Sequence, residues 1–94
     1  MKKIIIYDYK QGRNEHHILT AEINKRGDLI FSGCDSGDSV KEWFGDFDFE
    51  YWTTVKCKHV PEVLLSLIKE RFHTNEEFKK WLDYKKIVYD IMSI

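Results

Sequence analysis

In the first third of the chain, apolar and aromatic residues that favour β-strands recur in three stretches, and residues 16–24 alternate between two faces. This pattern predicts strands at residues 3–9, 16–24 and 29–32, which are rich in isoleucine, leucine and aromatic residues. Turn-forming residues separate them at 11–14 and 25–28, and each of these turns contains a glycine. The first third is therefore predicted to be a three-stranded antiparallel meander.

The middle of the chain is predicted to contain a loop, a short helix and a fourth strand. The loop is Gly33 to Gly37. Ser39 and Glu42 have the spacing of a capping box, and Gly45 is placed to end a helix over 39–44. Residues 47–56 then alternate strictly, with Phe47, Phe49, Tyr51, Thr53 and Val55 on one face and Asp48, Glu50, Trp52, Thr54 and Lys56 on the other.

Apolar residues in the last third recur with the period of α-helices. Pro61 suits the first turn of a helix whose apolar stripe is expected to cover the sheet, so that Leu64 and Leu67 would be buried. Thr74 and Glu77 form a second capping box. A final helix follows it, with the apolar stripe Phe78, Trp81 and Leu82. Residues 87–94 favour β-structure, as a last edge strand or as an extended segment.

Together these elements predict an α+β fold in one globular domain, 1–94. We expect a small antiparallel sheet of about four strands, with the C-terminal segment as a candidate fifth strand. A short helix and two C-terminal helices are expected to pack on one face of this sheet. The length and the 43% hydrophobic fraction suit one packed domain. No apolar run reaches the length of a membrane span or of a signal peptide. We therefore expect a soluble, cytoplasmic protein with two reduced cysteines and no membrane partner.

Charge is distributed unevenly although the net charge is only -1. Residues 28–55 carry seven acidic groups and one basic group, whereas the segments on either side are net basic. The same acidic segment contains two of the three tryptophans. Acidic groups mixed with aromatic rings can attract a basic partner and then bury apolar area against it. The residues expected to bind such a partner are Asp35, Asp38, Glu42, Trp43, Asp46, Asp48, Glu50 and Trp52.

The same segment also has a structural interpretation, in which its acids keep a loop soluble and its aromatic residues at 47, 49 and 51 fill the core. Metal binding is not indicated, because Cys57 and His59 form a single short-spaced pair and no second pair follows. Calcium is not indicated either, since the loop glycine and the closing glutamate are absent around Asp46, Asp48 and Glu50. We expect neither a metal nor another cofactor.

Two alternative functions remain open from the sequence. Cys34 or Cys57 beside a histidine could form a small enzyme or a metal protein, although no set of nucleophile, base and orienting group is visible. Lysines interleaved with aromatic residues in the last helix could bind nucleic acid as part of a regulator. These are Lys79, Lys80, Trp81, Tyr84, Lys85 and Lys86. Nearby acidic residues dilute their field, so we expect no enzyme and no direct nucleic-acid binding.

The run FSGCDSGDSVKEWFGDFDFEYWTTV, residues 31–55, resembles a motif of short uncharacterised bacterial proteins, ISGxDxGxxVxxxFGDxDYEYWxTV. Phe31 and Phe49 stand where that motif has isoleucine and tyrosine. The resemblance implies a bacterial or phage origin and supplies no catalytic residue. Small acidic proteins of this kind are similar to immunity proteins, antitoxins and phage-encoded inhibitors. We therefore predict a non-enzymatic protein-binding domain whose partner presents a basic surface, with an immunity, antitoxin or inhibitor role as the most concrete version.

Overall fold

The computed structural model of the chain, which describes residues 2–12, 14–45 and 48–94, shows the predicted α+β fold. Four strands form one sheet, with a short helix between the third and fourth strands and two longer helices after the fourth. In chain order the elements are β1 (Lys2–Gln11), β2 (Glu15–Ile23), β3 (Leu29–Ser36), α1 (Asp38–Phe44), β4 (Asp48–Val55), a 3-10 turn (Cys57–His59), α2 (Val60–Arg71) and α3 (Asn75–Lys85).

The sheet is an antiparallel meander in the order β1-β2-β3-β4. The β2–β3 turn shows why the hairpin forms where the sequence predicts it. The side-chain oxygen of Asn24 accepts hydrogen bonds from the backbone N–H groups of Arg26 and Asp28, at 2.9 and 3.0 Å. Gly27 follows with a φ of 84°, a conformation that costs glycine little. The turn therefore fixes the register of the two central strands.

The prediction of a loop at Gly33 to Gly37 is wrong, because β3 continues to Ser36. Gly33 is paired with Leu19 of β2 and with Tyr51 of β4. A Cβ atom at Gly33 would overlap the Tyr51 ring, so this glycine makes room for an aromatic side chain that lies across the sheet. A glycine that indicates a turn in the sequence thus serves close packing inside a strand.

The short helix α1 forms within one residue of its predicted bounds, but its predicted capping box is wrong. Its N-cap is Gly37, which makes no side-chain cap, rather than Ser39. The carboxylate of Glu15, at the start of β2, accepts a hydrogen bond from the backbone N–H of Ser39 at 2.9 Å instead. Gly45 ends the helix in the left-handed conformation, as predicted. Val40 of α1 is buried, with 5% of its surface exposed.

By their internal contacts the residues fall into two compact units, Met1–Pro61 and Glu62–Ile94. The prediction of a single domain and the predicted packing of the C-terminal helices on the sheet both stay predictions. In the second unit the second capping box is confirmed. Thr74 Oγ1 accepts a hydrogen bond from Glu77 N–H at 3.0 Å, and the Glu77 carboxylate accepts one from His73 N–H at 3.0 Å.

The two helices of the second unit meet through aromatic rings. The Phe72 ring lies edge-on to the rings of Phe78 and Trp81, at centroid distances of 5.3 and 5.6 Å. Leu82 is buried, as the predicted stripe of α3 requires. Leu64 and Leu67 are 56% and 57% exposed. Their predicted burial requires packing on the sheet, so it stays a prediction together with that packing. Both leucines line an open groove of about 610 Å³ together with the three aromatic rings.

The C-terminal residues 87–94 form no strand, so the fifth strand that the sequence left open is absent from this segment. Local hydrogen bonds to α3 explain this. The backbone N–H of Ile87 donates to the carbonyl oxygen of Leu82 at 2.9 Å, and the Tyr89 hydroxyl donates to the Asp83 carboxylate at 2.9 Å. These contacts hold the start of the tail against the end of α3.

Candidate functional site

One face of β4 carries the acidic and aromatic residues that the alternation predicts. Asp48, Glu50 and Trp52 are all exposed, whereas the residues between them, Phe49 and Tyr51, are partly buried. Because neighbouring residues of a strand point to opposite faces, the three exposed side chains share one face. Trp52 is 63% exposed. This face therefore presents two carboxylates beside an accessible indole.

Helix α1 presents a second group of the same kind. Asp38 and Glu42 are exposed, and Trp43 is 82% exposed. Val40 is buried on the same short helix, which contacts both β3 and β4. Both indoles of the acidic segment are thus exposed, each on an element that also carries exposed acids.

Asp35 does not join these groups in the structure. Asp46 lies outside the described residues. Asp35 pairs with Phe49 in the β3–β4 register, so it points to the face opposite Asp48 and Glu50. There it is partly buried and bonded to His17. Its carboxylate is thus engaged within the sheet.

The sequence did not predict a cluster around His17 on that opposite face. Its Nδ1 lies 2.8 Å from the Asp35 carboxylate, and its Nε2 lies 3.3 Å from the Glu15 carboxylate. The ring also packs on Tyr9 of β1 at a centroid distance of 5.1 Å. The signal that could have shown this cluster is the hairpin register, which places His17 directly opposite Asp35.

Two groups of this cluster have pKa values shifted in opposite directions, with that of His17 raised and that of Glu15 lowered. The hydrogen bond to Asp35 raises the pKa of His17, and the negative charges of Asp35 and Glu15 raise it further. Burial of the ring acts in the opposite direction. The backbone N–H of Ser39 lowers the pKa of Glu15. The cluster therefore favours a charged imidazolium between two carboxylates, and it joins β2, β3 and the start of α1.

A tyrosine pair spans the same face. A hydrogen bond to the Tyr7 hydroxyl, together with burial, raises the pKa of Tyr51 to about 12. Gly33 lies below the Tyr51 ring, and the Tyr7 ring in turn contacts Tyr9 at 5.5 Å between centroids. This face is a network of polar and aromatic contacts that links all four strands.

His17 and Cys34 are both engaged within the sheet. Both nitrogens of His17 are directed at carboxylates, so neither presents a lone pair to a substrate proton. Burial raises the pKa of Cys34, which keeps its thiol protonated and weakly nucleophilic. Within residues 2–12, 14–45 and 48–94 no group of three or more His, Cys, Asp or Glu side chains is arranged to hold a metal ion.

The lysines of α3 are not gathered into one basic site. Lys79 forms an ion pair with Glu76 at 3.0 Å, and Trp81 packs on Phe72. Tyr84 is 79% exposed, and Lys85 lies over its ring at 5.5 Å. The structure therefore separates the group that the sequence offered for nucleic-acid binding into an ion pair, a packed indole and one exposed tyrosine.

Comparison with protein-family models, with curated proteins and with solved structures found no match to this chain. The resemblance of residues 31–55 to short bacterial proteins and the bacterial or phage origin it implies stay predictions. Over the described parts of the chain, no helix combines the length and the apolar character needed to cross a membrane.

Proposed function

We propose that this chain is a small non-enzymatic domain that binds a protein with a basic surface. The binding residues are Asp48, Glu50 and Trp52 of β4 and Asp38, Glu42 and Trp43 of α1, here called the acidic aromatic surface. The observation that carries the proposal is the 63% exposure of Trp52 on the same strand face as two exposed carboxylates. Asp46 was predicted to belong to this surface from its place in the sequence.

The physical argument has two parts, one for each residue type. An exposed indole leaves a large apolar area in water, and tryptophan is among the residues most enriched in the energetic centres of interfaces. Exposed carboxylates of one sign accelerate the approach of an oppositely charged partner and reject partners of like charge. A surface with both features can guide a basic protein to the site and then bury the indoles.

The most concrete version of this function is an immunity, antitoxin or inhibitor protein of bacterial or phage origin. Such roles require only that a partner surface be covered. A protein that binds or cuts nucleic acid has a basic surface for the phosphate backbone. An acidic surface with aromatic anchors is complementary to such a site and could block it.

The test compares affinity capture by the wild-type chain and by variants used as bait. Trp52→Thr and the double variant Asp48→Asn/Glu50→Gln should each reduce capture of a specific partner at least about tenfold, as the loss of an interface anchor does. Tyr84→Ala and Glu62→Gln are matched controls, because they remove an exposed aromatic residue and an exposed acid elsewhere. Both controls should capture the partner as the wild type does.

Two results would overturn the proposal. One is a partner that the surface variants and the controls capture equally well, which would place the binding site elsewhere. The other is capture that is insensitive to salt between about 0.05 and about 0.5 M, because exposed charges are screened over this range. Circular dichroism of every variant ensures that lost capture is not lost folding.

A further inference from the structure

β4 lies at one edge of the sheet, and in the described part of the chain β3 is the strand that pairs with it. An edge strand presents backbone hydrogen-bonding groups on its outer side, which is a template for another strand. Natural proteins protect such edges with bulges, charged side chains (lysine above all), prolines or a covering helix or loop, and an edge with fewer of these devices is more open to pairing.

The two edges of this sheet differ in that protection. β1 has a bulge between Ile5 and Tyr7, and it carries Lys2, Lys3 and Lys10 near its ends. If β1 paired antiparallel with its own copy, lysines would face lysines. β4 keeps a regular register over all eight residues and contains neither lysine nor proline. β4 is therefore the open edge.

The exposed face of β4 is complementary to itself when the strand is reversed. Every second residue from 48 to 56 belongs to this face, namely Asp48, Glu50, Trp52, Thr54 and Lys56. All five are exposed, and Lys56 continues the extended backbone with a φ of -64° and a ψ of 149°. In antiparallel pairing centred on Trp52, Asp48 of each copy lies opposite Lys56 of the other. Glu50 of each copy likewise lies opposite Thr54 of the other. Opposite charges are thus paired at both ends and the two indoles meet in the middle.

We propose that β4 pairs antiparallel with β4 of a second copy of this chain, with Trp52 on the two-fold axis. The contact would join two four-stranded sheets into one of eight strands. Because the same surface is used on both copies, the assembly closes at a dimer. This inference does not depend on the partner-binding function, since it rests on the backbone edge of β4 and on the pairing of side chains between two copies.

Charge and register favour this occupant over others. Shifting the pairing by two residues towards the C-terminus would set Glu50 opposite Lys56, but it shortens the extended stretch that overlaps, because the 3-10 turn begins at Cys57. Pairing of β4 with β1 of another copy would be head-to-tail, and such contacts form rings or open chains rather than a closed two-fold dimer. Lys56 has one ion-pair partner, the Asp28 carboxylate at 3.9 Å, and its side chain is 66% exposed. It is therefore available to the second copy.

Sedimentation equilibrium of two charge variants and their mixture tests the register. Asp48→Lys places lysine opposite lysine at both ends, and Lys56→Asp places acid opposite acid. Each variant alone should dimerise at least about tenfold more weakly than the wild type. An equimolar mixture should recover the wild-type affinity, because every end of the mixed dimer again pairs opposite charges. Glu62→Lys, the same charge change on α2, is the matched control and should leave the dimer unchanged.

A second pair of variants covers the case in which Lys56→Asp fails to fold beside Asp28. Glu50→Lys and Thr54→Glu test the same register without changing Lys56, and their mixture should again dimerise better than either variant alone. A wild-type chain that stays monomeric at about 100 µM, well above the dissociation constants of specific protein complexes, overturns the proposal. So does a dimer unaffected by the variants, a mixture that recovers nothing, or growth into species larger than a dimer.

Discussion

At the scale of single residues, Gly33 and His17 show how one position can organise a sheet. Gly33 lacks a side chain where the Tyr51 ring lies, and Tyr51 reaches over it to bond with Tyr7 on the far strand. The His17 ring lies between two carboxylates, that of Glu15 in its own strand and that of Asp35 in the neighbouring strand β3. Both are long-range arrangements that depend on strand register, so the identity of the residue alone does not indicate them.

Changing Gly33 to alanine should destabilise the sheet. The new Cβ atom would displace the Tyr51 ring, and overpacking of this kind costs about 1–3 kcal/mol. Urea unfolding measures the loss. In a Tyr51→Val background the same alanine should cost much less, because the ring it displaces is gone. An equal cost in both backgrounds would show that the ring does not lie over this glycine.

The His17 cluster should make stability depend on pH. The folded pKa of His17 is raised above its ordinary value of 6.5, so its contribution is present below that value and is lost as pH rises through the folded pKa. The folded pKa of Glu15 is lowered from 4.5, so its contribution is present above that value and is lost on acidification. The free energy that this cluster adds is therefore largest between these two values.

The measurement is urea unfolding at about pH 6 and about pH 8.5, on either side of the histidine transition. The wild type should lose stability at the higher pH, and His17→Gln should lose less between the two. His16→Gln is the matched control, because His16 is on the other face, bonded to Asp8 at 2.7 Å. It should keep the wild-type fall. If His17→Gln lost as much stability between the two pH values as the wild type does, this cluster would not be the source of the pH dependence.

At the scale of elements, local patterns predicted most of the structure. Alternation located β1, β2 and β4, and helical periodicity with Pro61 located α2 and α3. Errors occurred where a contact distant in the chain decides the outcome. Gly33 continues a strand because Tyr51 covers it, and Ser39 is bound by Glu15 from another strand. Register likewise assigns Asp35 to His17 and separates it from the other predicted binding residues. No local window of sequence contains that information.

The two capping-box sequences provide a direct comparison between a local signal that operates and one that does not. Thr74 Oγ1 accepts a hydrogen bond from Glu77 N–H, whereas α1 has no side-chain cap at its start. Thr74→Ala should therefore destabilise α3 by about 1 kcal/mol, the usual cost of a lost N-cap. Ser39→Ala should change stability by less than half of that, since its backbone N–H, bound by Glu15, is kept. Thermal and urea melts of both variants check this, and equal losses would contradict the assignment of the caps.

At the scale of the whole molecule, burial and charge are both unevenly distributed. β2 and β3 are hydrogen-bonded on both sides, whereas α2 contains no buried residue. β3, α1 and β4 together carry five acidic residues and one basic residue, and lysines lie at both ends of β1. Stability is thus centred on the inner strands, while the features that suit binding are on β4 and α1. A sheet with one protected and one open edge provides a rigid support for them.

Hydrogen exchange should show this division directly. Amides of β2 and β3 should exchange most slowly, because both strands lie between two neighbours, and amides of α2 should exchange fastest among the helices and strands, since it has no buried side chain. Exchange in β4 also tests whether two copies pair along this edge. If two copies pair along this edge, β4 amides should be better protected at high protein concentration, and those of β1, at the other edge, should not change. Mass spectrometry of peptic peptides at about 1 and about 100 µM, below and above a micromolar dissociation constant, measures both effects. Protection that rises equally in β1 and β4 would indicate general association, and protection in α2 comparable to that in β3 would contradict the view that stability resides in the inner strands.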